Sequence, residues 1–117
     1  MAGHPPAPTG AIRSRLEADF RHRVMLLYRS LQITPPYHSV EKAILTLRDR
    51  LLSVPEPELR ATADDPASLN RLFTQIFTDS GLARKNRGII IKLLADKPDL
   101  LAPECRPFAE TFKQAPP

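Results

Sequence analysis

At 117 residues the chain holds one domain with a single modest hydrophobic core. Seventeen Lys and Arg against thirteen Asp and Glu give a formal charge of +4, which favours an acidic protein surface, nucleic acid or anionic lipid as partner without choosing among them. A single cysteine excludes a disulfide within these residues and any cysteine-built zinc site, and no apolar run approaches the roughly 20 residues that a bilayer-crossing helix needs.

Residues 1–10 are proline-rich and polar and are expected to form an extended arm. A first helix is expected from Ala11 to Ile33, because Leu16, Phe20, Val24, Leu27 and Leu31 recur at steps of three and four, with Pro35 and Pro36 ending it. Arg21, His22, Arg23 and Arg29 set a cationic edge beside that apolar stripe, a combination suited to an acidic partner. Ser39 is the expected cap of a second helix over Val40–Ser53, where Val40, Ile44, Leu47 and Leu51 face inward and Leu45 and Leu52 widen the buried stripe. Lys42, Arg48 and Arg50 occupy its other face.

Pro55 to Asp65 reads as an acidic connector, and Asp65–Pro66 as the start of a third helix that runs to Ser80 before Gly81 closes it. Leu69, Leu72, Phe73, Ile76 and Phe77 form its inner face. A basic cluster, Arg84, Lys85 and Arg87, precedes the run Ile89, Ile90, Ile91, Leu93, Leu94. That run fits a strand or a helix, and the lack of a second strand candidate favours a short fourth helix. Pro98, Pro103 and Pro107 predict an irregular tail whose last turn carries Phe108 and Phe112. The expected organisation is an arm (1–10), an all-α domain (11–96) and a proline-rich tail (97–117).

No catalytic set emerges. His4, His22 and His38 lack metal-ligand spacing, there is no glycine-rich phosphate loop or serine elbow, and Cys105 sits among prolines with no helix start expected nearby to lower its pKa. The expectation is a binding protein that is not an enzyme and holds no metal.

Leu27, Tyr28 and Arg29, on the first helix of a small, basic, all-helical chain, resemble the LYR-motif family of mitochondrial accessory and assembly proteins; the likeness runs from about Phe20 to Ser80. The family plan is a three-helix bundle with the tripeptide on its first helix, so the resemblance implies an LYR-like bundle extended by a short C-terminal helix and proline-rich ends. It implies docking of the mitochondrial acyl carrier protein, an acidic protein bearing an acyl-4'-phosphopantetheine arm, with no cofactor held by this chain itself. Leu27, Tyr28 and Arg29 would form the docking face with Arg48 and Arg50. An aliphatic seam of Tyr28, Leu31, Leu47 and Leu51 would take the acyl chain, each buried methylene contributing about 0.8 kcal/mol. Where family members commonly carry a phenylalanine near the end of the second helix, Arg48–Leu52 has only leucines. The implied place is the mitochondrial matrix or the matrix side of the inner membrane, peripheral to it, as an accessory subunit of respiratory complex I or another large complex. The alternative within the family is an assembly factor for iron-sulfur, respiratory or mitoribosomal complexes.

A different class of reading makes Arg84, Lys85, Asn86 and Arg87 the start of a recognition helix for nucleic acid. Gly88 directly after them and the modest charge weigh against it, and tight duplex binding is not expected.

Overall fold

The computed structural model describes residues 9–34 and 37–114. Among them the protein is all-helical, with six α-helices: α1 (Thr9–Ser30), α2 (His38–Leu52), α3 (Glu56–Asp64), α4 (Pro66–Asp79), α5 (Leu82–Asp96) and α6 (Arg106–Gln114), and short 3-10 turns at Pro98–Leu100 and Pro103–Cys105. The arm expected over 1–10 lies outside the described residues except for residues 9 and 10, which open α1.

α1 buries the stripe that its spacing predicts: Leu16, Phe20, Val24, Leu27 and Leu31 are at most 9% exposed. It stops at Ser30 rather than at Pro35 and Pro36, which lie outside the described residues. The terminator is a pair of hydrogen bonds, Ile33 N–H donating to Tyr28 C=O at 2.9 Å and Gln32 N–H to Arg29 C=O at 3.0 Å. They close around Gln32, whose φ of 59° is left-handed.

α2 begins at His38 with Tyr37 in the capping position, so Ser39 lies inside the helix and is not the cap. α2 packs on α1, α4 and α5 and buries Val40, Ala43, Ile44, Leu47 and Leu51. Leu45 and Leu52, expected to widen the buried stripe, stay 59% and 69% exposed.

The acidic connector is in fact helix α3. Pro57 falls in the first turn, where a backbone N–H has no acceptor to lose, Glu56 and Glu58 sit at the positive end of the helix dipole, and Leu59 is buried as the anchor. α4 starts as the sequence predicts: the Asp65 carboxylate accepts from Ser68 N–H at 3.2 Å and from Ser68 Oγ at 2.6 Å. α5 is longer than the short helix expected and runs straight through Gly88.

The expected irregular tail contains α6, and α6 completes the core. Phe108 stacks on Phe77 with centroids 4.5 Å apart and meets Phe20 edge-on at 6.3 Å, while Phe20 leans on Phe73 at 5.3 Å. The Arg23 guanidinium lies 5.0 Å over the Phe73 ring. The side chain of Phe112 lies outside the described residues.

Candidate functional site

Successive residues on a helix point about 100° apart, so Tyr28 and Arg29 cannot both face the same way. Leu27 and Tyr28 turn into the core, 0% and 3% exposed, and Arg29 turns to solvent. The Tyr28 ring meets Tyr37 edge-on at 5.1 Å, and its hydroxyl accepts a hydrogen bond from Asn86 Nδ2 at 3.2 Å. Asn86, itself 3% exposed, donates also to Leu82 C=O at 3.0 Å. The Tyr28 hydroxyl, on a residue expected at the docking face, is thus a buried tie between α1 and α5. Beside it a cavity of about 120 Å³ is closed by Ile33, Tyr37 and the N-terminus of α2, where Lys85 Nζ donates to Ser39 Oγ.

Two clefts adjoin at the C-terminal end of α1, and Arg29 lines one of them. One, about 290 Å³, is lined by Leu26, Arg29, Ser30, Gln32, Leu100 and Ala102. The other, about 370 Å³, has Leu31, Ile89, Leu93 and Leu100 as its apolar wall and Lys92, Asp96 and Lys97 at its edge. Ser30, Gln32 and Leu100 line both, and Leu100 is half exposed. None of the ion pairs among the described residues involves Arg29, Lys92 or Lys97. The result is two adjoining clefts, one with Arg29 in its lining and the other aliphatic with Lys92, Lys97 and Asp96 at its edge, a surface fit for an anionic amphiphile or an acidic helix.

Arg48 and Arg50 do not join Arg29. Arg48 grips the Glu17 carboxylate through Nε at 2.5 Å and Nη2 at 2.9 Å, and Arg50 Nη2 reaches Asp79 at 2.7 Å. The Arg48 hydrogen bond holds the Glu17 carboxyl below the usual carboxylate range and Glu17 in turn raises the Arg48 guanidinium. From Glu17 to Arg29 is twelve steps of α1, roughly 18 Å along the helix axis. These two arginines clamp α2 to α1 and to α4.

The proposed seam is likewise spread out. Tyr28, Leu31, Leu47 and Leu51 are all buried. Arg13 Nε donates to Leu51 C=O at 3.1 Å, fifteen α1 steps and roughly 22 Å from Tyr28. Leu31 alone of the four lines an open cleft beside Arg29. Lys92 and Lys97, which sequence reasoning did not single out, come to the end of α1 only through the packing of α5 and the turn after it.

The basic segment divides too. Arg84, Lys85 and Arg87 are exposed, while Asn86 points inward to Tyr28 and is removed from any base-reading set. Cys105 has a helix start directly after it, contrary to expectation, yet it is buried and its Sγ donates to Arg23 C=O at 3.2 Å. Burial, aided by Glu104, pushes its thiol up to about 12. Comparison with protein-family models, with curated proteins and with solved structures finds no match.

Proposed function

We propose that this protein is a non-catalytic LYR-type adaptor that docks an acylated acyl carrier protein and holds it on a large mitochondrial complex. The observation that carries the reading is Arg29: exposed, outside every ion pair among the described residues, and lining a cleft that shares Ser30, Gln32 and Leu100 with a neighbouring aliphatic cleft edged by Lys92 and Lys97. In this reading α1, α2 and α4 correspond to the three helices of the LYR bundle, and α3, α5 and α6 are additions. The three cations meet carboxylates of the carrier and the phosphate of its pantetheine arm, and the acyl chain lies against Leu31, Ile89, Leu93 and Leu100. Tyr28 positions Arg29 from inside the core. The complex is respiratory complex I or another assembly on the matrix side of the inner membrane, with an assembly-factor role as the variant of the same chemistry.

The test is co-purification of the full chain with its partners, followed by intact mass measurement of any small acidic protein. The expected partner carries phosphopantetheine and a fatty acyl mass. Arg29→Glu should lower its capture about 10–100-fold, the loss of one charge-assisted contact, with the circular dichroism spectrum unchanged. Absence of an acylated partner, or capture indifferent to Arg29, overturns the reading.

A further inference from the structure

The outward side of α5 is unlike the rest of the surface. Arg84, Arg87, Gly88, Ile91 and Ala95 follow the spacing that gathers residues on one side of a helix, and all five are exposed. Ile89, Lys92 and Asp96 turn to the other flank, where they line the cleft at the end of α1. Neither arginine takes part in an ion pair among the described residues, and no acid stands in the set.

Gly88 is the odd member. It sits in the middle of a 15-residue helix, where glycine lowers the folded-to-unfolded ratio about fivefold relative to alanine. Nothing inside the chain asks for it: a Cβ built there meets no atom within 4 Å, and its φ is not left-handed. What a glycine supplies at an open, exposed position is close approach from outside. Gly88 and Ala95, two turns apart, leave a shallow floor with Arg84 and Arg87 beside it and the 42%-exposed Ile91 between.

We propose that this side of α5 is a second docking surface, distinct from the Arg29 cleft, and that its occupant is an amphipathic helix of a partner protein bearing Asp or Glu beside an apolar ridge. The ridge lies over Gly88 and Ala95 and packs on Ile91; the carboxylates pair with Arg84 and Arg87, whose planar groups suit bidentate contact. One bulky apolar side chain is too little to seat α5 in a lipid interface, which needs a wide apolar face. Two arginines neutralise too few phosphates for firm nucleic-acid binding. A second copy would set arginine against arginine.

The experiment places the photo-cross-linker benzoylphenylalanine at position 95 of the full chain in its native assembly, and maps the cross-linked peptide by mass spectrometry. The expected product is one segment of another protein with acidic residues at helical spacing. Its yield should fall about tenfold or more in the Arg84→Glu, Arg87→Glu double variant and recover when two of those acids are changed to lysine. Gly88→Leu should block the cross-link although the purified variant melts no lower than the parent, and Gly88→Ala should raise the folded-to-unfolded ratio about fivefold. Cross-links to lipid, nucleic acid or a second copy overturn the proposal, as do no cross-link, a yield indifferent to charge reversal, or a lower melting temperature for Gly88→Ala. Capture of an acyl carrier through Arg29 is read separately in the same preparations, so either surface can fail alone.

Discussion

Tyr28 and Arg29 are neighbours with opposite surroundings, and substitution should separate them. Tyr28→Phe deletes the acceptor of Asn86 Nδ2 but leaves that amide its bond to Leu82, so it should cost about 1 kcal/mol in urea denaturation. Tyr28→Ala should cost about 3–5 kcal/mol, because it empties a core position. A tyrosine whose removal spares stability while abolishing partner capture would instead be a surface contact. The inward direction of Tyr28 follows from its place in the stripe with Val24, Leu27 and Leu31. Its hydroxyl partner was not legible, since Asn86 lies 58 positions away.

Two buried or paired groups give pH signatures of opposite sign. The Cys105 thiol is raised from 9.0 to about 12, so the folded state holds the proton more tightly. The associated stability is complete below about pH 9 and drains away between there and pH 12. Cys105→Ala should therefore flatten the fall of stability over that window relative to the parent chain. Glu17 is lowered by Arg48, so its contribution is present above the carboxylate range and is lost as the pH drops through it. Arg48→Gln should lose stability at neutral pH and show a shallower further loss on acidification, followed by denaturation from pH 7 to 3.

At the scale of elements, the long periodic helices were readable and the short ones were not. α1, α2 and α4 each repeat an apolar stripe through several turns, and Asp65–Pro66 marks a start by its own chemistry. α3 hides because nine residues with two prolines nearby give too few turns for a period to show, and its one anchor, Leu59, is buried only by the packing of α3 on α1 and α4. α6 hides for a similar reason: Pro107 reads as a breaker but occupies the first turn, where proline is tolerated. The end of α1 rests on backbone shape rather than on the prolines. Gln32 holds a left-handed conformation that glycine adopts without strain, so Gln32→Gly should stabilise the protein by about 0.5–1 kcal/mol in thermal or urea unfolding. A loss of stability there would mean that the Gln32 side chain does more than fill the turn.

At the scale of the molecule, the candidate site is a product of tertiary packing. Arg29 was legible as a cation on the helix edge, but Leu100, which shares its cleft, and Lys92 and Lys97 in the adjoining one come to the end of α1 only through the packing of α5 and of the turn after it. The same folding pairs Arg48 and Arg50 with Glu17 and Asp79, 31 and 29 positions away. The aromatic cluster is just as nonlocal. Phe108→Ala should cost about 3–5 kcal/mol although it stands in the stretch expected to be a tail, and a cost under 1 kcal/mol would show that α6 is dispensable.

The bond from Cys105 to the Arg23 carbonyl spans 82 positions, and Phe108 is the last ring to enter between Phe20 and Phe77. In synthesis α1 precedes α6, so the ring stack that packs on α1 forms only after α6 has been made. Until then part of the inner faces of α1 and α4 stays uncovered. Closure of α6 is therefore the step that completes the aromatic core around Phe20.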